Sequence, residues 1–150
     1  MHSVTKGLLA GAVGTLTLEL AAYGDMLLRG RGSSGVPAQV AERLADRAGV
    51  PLGEGEEKGN RTQAAGALLG YAAGLGTGAA YGLLRHRRAP LPDWAAGPVL
   101  GAAAMAGSDV PATALRVTDP TSWDLKSWAS DVVPHLVYGL TTASVYRALR

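Results

Sequence analysis

The sequence predicts an all-α protein, an integral membrane bundle of four transmembrane helices, and three observations lead there. Glycine recurs at Gly66, Gly70, Gly74, Gly78 and Gly82 inside an apolar stretch, and because four residues make about one helical turn these positions form one slowly spiralling seam. Of the 150 residues, 47% are hydrophobic and 17% charged, which is apolar for a small soluble domain. The charge is also segregated. Of the spans at residues 7–28, 64–84, 94–115 and 130–149, three are uninterrupted and weakly polar and one has more polar content; each is long enough to cross a hydrocarbon layer about 30 Å thick, and together they make the whole chain a single membrane domain.

The second span organises the rest. In water each of its glycines would weaken a helix by roughly 1 kcal/mol relative to alanine. In lipid the helix must form to satisfy its backbone, and the missing side chains let a neighbour approach closely, so the seam reads as a glycine zipper used for helix packing. The first span repeats the spacing with Gly7 and Gly11 and the offset pair Ala10 and Gly14. The two spans are therefore expected to pack as a hairpin. A signal peptide competes for residues 7–28, but Glu19 interrupts the run and no small-residue cleavage site leads into a polar domain.

Between these spans, residues 29–62 are polar. Pro37 in a first turn, Val40, Leu44 and Ala48 on one face, charged residues on the others and Gly49 as a stop predict one short interfacial helix, with loop-like flanks at 29–35 and 51–60. Arg85, His86, Arg87 and Arg88 close the second span, and Ala89-Pro90-Leu91-Pro92 is a stiff connection. The third span carries Pro98, Ser108, Asp109 and Pro111, so a broken or re-entrant segment is its alternative to a full crossing. The last has Ser130 as its expected cap and Pro134 in its first turn. Trp94, Tyr81 and Tyr146 fall at one membrane face and Trp123, Trp128 and Tyr23 at the other, as interfacial belts. The compact Arg85, Arg87, Arg88 group beside Arg147 and Arg150 places both termini in the cytoplasm of a bacterial inner membrane.

Gly74, Thr77, Tyr81 and Arg85 match Gly139, Thr142, Tyr146 and Arg150 at one constant offset. Two hairpins related by a pseudo-two-fold would produce this, as would chance in a chain so rich in small residues.

Ionisable groups inside spans are costly in lipid. Here Glu19, Asp109, Asp131 and His135, extended by Tyr138, fall in the half of the membrane nearer the first and third loops and form a candidate intramembrane polar cluster. Asp25 lies close enough to a span end to be solvated. Asp131 and His135 share a helix face, and His135 and Asp109 lie at similar depth, where a buried ion pair between them is expected. A carboxylate and histidine are the composition of a proton or cation path; local hydrogen bonding is the structural alternative.

No cysteine is present, so disulfide and thiolate chemistry are excluded. A net charge of +2 without a basic aromatic stripe gives no support for nucleic acid. No nucleophile elbow, P-loop or zinc-protease motif occurs, and the carboxylates lack the spacing of metal-bridging bundles. No enzyme activity, metal or cofactor is expected.

At residues 128–139, Trp128, Asp131, His135, Tyr138 and Gly139 open the last helix, and the Gly78-Ala79-Ala80-Tyr81-Gly82 segment closes an earlier one. In these positions the chain resembles the YagU-like and related actinobacterial small multi-pass membrane proteins of unknown function. The resemblance covers about the last 25 residues and implies a membrane bundle. The expected role is a non-enzymatic scaffold or accessory subunit that packs with itself or another membrane protein in the lipid bilayer; the alternative is a proton- or cation-linked transport element using the polar cluster.

Overall fold

The computed structural model describes residues 2–87 and 92–149 and is all-α. Its helices are α1 (Ser3–Arg29), α2 (Val36–Ala48), α3 (Gly55–Arg87), α4 (Asp93–Ala114) and α5 (Leu125–Ala148), with a short 3-10 turn at Pro120–Ser122. By length and composition α1 and the 55–85 portion of α3 are apolar enough to cross a membrane. The connection at 88–91 and Arg150, both used in the sequence reading, lie outside the described residues.

α3 meets every other helix: α1 most extensively, α2 and α4 less so, and α5 through the Tyr138 hydroxyl and the Tyr81–Tyr146 ring contact. α1 packs equally closely on α5, and α4 packs mainly on α5. α1 offers small residues to both of its neighbours: Gly7 and Gly11 to α3, and Gly14 to α5.

α1 and α3 run antiparallel at near-contact of their backbones. A Cβ on Gly11 would lie 2.8 Å from the Gly74 carbonyl oxygen, one on Gly78 2.7 Å from the Gly11 Cα, and one on Gly82 3.2 Å from the Gly7 Cα. The contact is therefore backbone on backbone, which only glycine permits. A second approach of the same kind joins α4 to α5, where a Cβ on Gly139 would lie 2.8 Å from the Gly101 Cα, and one on Gly101 2.7 Å from the His135 carbonyl oxygen.

Three boundaries differ from expectation. α3 begins at Gly55, nine residues before the expected start, so the 55–63 stretch is helix and not loop. Glu57 and Arg61 pair along it at 2.6 Å, and Lys58 reaches Glu42 of α2. That pair holds the Glu42 carboxyl below its ordinary range and raises the Lys58 ammonium, the hydrogen bond between them being the main cause in each. α2 also crosses α3 closely, since a Cβ on Gly66 would lie 2.6 Å from the Pro37 carbonyl carbon. α5 begins at Leu125 and not at Ser130. Its cap is Asp124, which accepts from the Ser127 N–H at 2.7 Å and is held below the usual carboxylate range by that contact. Pro134 therefore sits inside the helix and not in its first turn. α4 runs unbroken through Pro98 and Pro111, so the broken alternative is not what forms.

α2 ends where Gly49 adopts the left-handed conformation at φ 66°, its N–H bonding back to the Asp46 carbonyl. The aromatic assignment changes. Tyr81 and Tyr146 are buried and pack edge-on at 5.0 Å between ring centres, whereas Trp94 and Tyr23 stand out from the bundle.

Candidate functional site

The five residues of the expected cluster separate into three places. Glu19 on α1 accepts a hydrogen bond from the Tyr71 hydroxyl of α3 at 3.1 Å. Tyr138 lies fully buried at the crossing of α1, α3 and α5. Its hydroxyl donates to the Gly74 carbonyl at 2.6 Å, with Thr77 and Thr142 beside it. Asp109, Asp131 and His135 remain together between α4 and α5.

The middle place is a polar knot in a small-residue core. Thr15 donates to the Gly11 carbonyl at 2.8 Å, the back-bond that satisfies a hydroxyl inside a helix. Thr142 is completely buried, and its Oγ1 has no hydrogen-bond partner among the described residues. Gly14 and Gly74 are glycine because a Cβ at either would run into a threonine hydroxyl, Thr142 for the first and Thr15 for the second. The glycines on α1 and α3 therefore make room for hydroxyls as well as for backbone.

The third place overturns the expected Asp109–His135 ion pair. His135 Nδ1 turns to its own helix, donating to the Asp131 carbonyl at 2.8 Å, with Asp131 Oδ1 at 3.4 Å. A partner one turn away on the same helix needs no tertiary adjustment, and it wins over one across the interface. Asp109 instead lies close enough to Asp131 for the two carboxyls to interact. Asp131 Oδ2 is buried, and no contact of hydrogen-bond geometry satisfies it among the described residues. The Asp131 and His135 side chains are 23% and 14% exposed, so both are largely withdrawn from the outside. Among the described residues no three His, Cys, Asp or Glu side chains converge closely enough to hold a metal ion.

Asp25 belongs to a separate rim network. It receives Arg29 and Arg31, each at 2.6 Å, and Arg29 also reaches Ser130 in the second turn of α5, tying the end of α1 to that helix. In the α4–α5 connection Asp119 accepts from Thr121 and is thereby held below the usual carboxylate range.

Of the expected packing glycines, Gly74, Gly78 and Gly82 meet α1, Gly66 meets α2, and Gly70 faces open space. The residues missed in the sequence are Tyr71, the partner of Glu19, and Gly97 and Gly101, the α4 half of the second approach. Gly97 and Gly101 carry the same four-residue spacing as Gly7 and Gly11, a signal that was present. Tyr71 carries none.

No protein-family model matches the chain, and no curated protein or solved structure is significantly similar to it.

Proposed function

We propose that the chain is a four-span protein of the bacterial cytoplasmic membrane, with both termini cytoplasmic, acting as a non-enzymatic scaffold or accessory subunit that packs through small-residue helix faces. The observation that carries this reading is the inverted placement of side-chain size. Leu8, Leu9, Leu16, Leu20, Leu68, Val99, Val110, Val133 and Leu136 are exposed, from all four long helices, while the interior holds Ala10, Ala96, Ala104, Ala112, tyrosines and threonines, with Leu100 and Leu115 its only buried leucines among the described residues. The exposed surface is 9129 Å² for 15.3 kDa. A soluble monomer of that mass exposes about 7,100 Å². Aliphatic surface of this extent is at home in hydrocarbon, where small residues and hydroxyls and not bulk apolar groups hold helices together.

Helix length supports four crossings. At 1.5 Å per residue α4 and α5 span about 33 and 36 Å, enough for the hydrocarbon layer. α3 spans about 50 Å, so its first turns stand clear of the membrane and carry α2. The polar side chains of α5, Asp131, His135, Tyr138 and Thr142, turn inward and not to the outside. The resemblance of residues 128–139 to YagU-like proteins points the same way. Gly70, which faces open space, offers a second helix a close approach to α3, from another copy or another subunit.

A reporter active only in the cytoplasm should work when fused at Ala89 or after Arg150 and fail at Gly53. Activity at Gly53 alone inverts the orientation; activity at all three removes a span.

The Asp109–Asp131 contact favours a second reading, a proton- or cation-linked transport element. Two carboxyls side by side at membrane depth, one oxygen unsatisfied, are the composition of a site through which a proton or monovalent cation passes. Proteoliposomes of the purified protein should show no ion flux if it is a scaffold. A flux abolished by Asp131→Asn replaces the first reading with the second.

A further inference from the structure

Glu19 stands ten residues before the end of α1 at Arg29, about 15 Å along the helix axis, so in the four-span arrangement its carboxylate lies near the middle of the hydrocarbon layer. Within its own chain the Tyr71 hydroxyl donates to Oε2 at 3.1 Å, and Oε1 accepts from no other described residue. The cations at the neighbouring helix ends are engaged elsewhere: Arg29 and Arg31 on Asp25, Lys58 on Glu42, and Arg61 on Glu57. The pair is not closed over by a further helix, for Glu19 is half-buried and Tyr71 is 44% exposed. An ionisable group half-open to acyl chains is costly, and what covers it at low cost must donate hydrogen bonds.

α1 itself carries such a donor. Tyr23 lies one turn beyond Glu19 on the same face, is 60% exposed, and is close enough to Tyr71 for the two phenols to interact. Its hydroxyl has no hydrogen-bond partner among the described residues. Helical side chains lean toward the N-terminus, so the Tyr23 hydroxyl, whose Cα starts about 6 Å nearer the first loop, is carried back toward the depth of Glu19. One face thus holds a free acceptor and a free donor. That combination is self-complementary, because a half-turn about the membrane normal keeps every group at its depth and brings the donor of each copy to the acceptor of the other. An acyl chain supplies no donor, and an unrelated helix would have to supply both groups at matching depth. Leu16, three residues before Glu19, is exposed and extends the face with apolar area.

We propose that a second copy of this chain docks on the Glu19 and Tyr23 face of α1, two-fold related about the membrane normal, with the Tyr23 hydroxyl of each copy donating to Glu19 Oε1 of the other. Tyr71 holds each carboxylate from within its own chain through Oε2. The proposal rests on the four-span reading, which alone puts Glu19 in hydrocarbon, and it names the partner that reading left open.

The test uses the full chain, which has no cysteine, with Ser33→Cys in the first loop labelled by donor or acceptor fluorophore on separate copies and reconstituted in phosphatidylcholine vesicles. Energy transfer should rise with protein-to-lipid ratio as copies pair. Tyr23→Phe, which breaks no contact within its own chain, should weaken pairing about tenfold by removing two equivalent interhelical hydrogen bonds. Glu19→Leu should weaken it as much, while Glu19→Gln, which keeps an acceptor for both phenols, should pair like the parent. In otherwise cysteine-free chains, Leu16→Cys should oxidise to a disulfide-linked dimer, and Val133→Cys, exposed on α5, should not. Absence of transfer in the parent overturns the proposal and leaves this face to lipid or to a different protein. Pairing unchanged in both Tyr23→Phe and Glu19→Leu, or a dimer linked through Val133→Cys and not through Leu16→Cys, overturns it by placing the interface elsewhere. Labelling of Leu16→Cys by a membrane-impermeant maleimide in sealed vesicles sinks the four-span reading itself, a result distinct from all of these.

Discussion

Gly78→Leu is expected to force α1 away from α3 and to lower the melting temperature of the detergent-solubilised protein, while Gly70→Leu leaves it unchanged. Even a methyl group at position 78 would meet the Gly7 carbonyl and lie 2.7 Å from the Gly11 Cα, and both are backbone atoms that no rotamer change can move. Relief requires the helices to separate along the Gly7 to Gly82 contact. Overpacking a close-fitted interior costs about 1 to 3 kcal/mol, and a whole leucine against backbone lies at or beyond the upper end. For a chain of this length 3 kcal/mol corresponds to about 10 °C. Gly70→Leu adds a side chain with nothing within 4 Å of its Cβ. Equal melting of the two variants would place the α1–α3 contact elsewhere on both helices.

That contrast between Gly70 and Gly78 also shows where sequence reading stops. Residues four apart advance 400° around a helix, so a row of glycines at that spacing drifts by about 40° per step and cannot face one partner from Gly66 to Gly82. The drift is visible in the sequence, but which neighbours receive its two ends is not. α2 takes Gly66, α1 takes Gly74, Gly78 and Gly82, and Gly70 falls between them. The existence of α1, α2 and α4 was legible from apolar length, Pro37 and Gly49. The early start of α3 was not, because the 55–63 stretch reads as a glycine-interrupted polar loop until Glu42 and α2 are laid against Lys58 and Gly66.

The polar residues were legible as a set confined to one half of the bundle, but not as pairs. Antiparallel packing puts Glu19 beside Tyr71 and Asp109 beside Asp131, both well away from the end where Tyr81 meets Tyr146. Depth follows from counting along helices of alternating direction. Partnership depends on rotation about each helix axis, which hydrophobic pattern fixes poorly when the interior is built from glycine and alanine. The Gly74 to Gly139 correspondence has the same status. Both glycines lie at close crossings, and the matched tyrosines touch, yet α1 packs broadly on α5 while α4 barely reaches α3. The two hairpins are alike in their contacts without being arranged symmetrically.

Gly139→Leu should break the other approach and leave the first standing. A Cβ there would run into the Gly97 carbonyl oxygen and the Gly101 N and lie 2.8 Å from the Gly101 Cα, the tightest set of backbone contacts in the α4–α5 interface. The expected cost again reaches about 3 kcal/mol, but its location is what distinguishes the variant. With Asp109→Cys and Asp131→Cys as a reporter pair across α4 and α5, a short bifunctional crosslinker should join the helices in the parent and fail in Gly139→Leu. A Glu19→Cys, Tyr71→Cys pair across α1 and α3 should still crosslink there, because α1 and α3 meet without any atom of α4. Gly78→Leu should give the reverse pattern. The two leucine substitutions, acting at sites with no shared contact, should then add when combined. If either variant abolished both crosslinks, the hairpins would form one cooperative unit held from within by Tyr138 and Gly74, where α1, α3 and α5 meet.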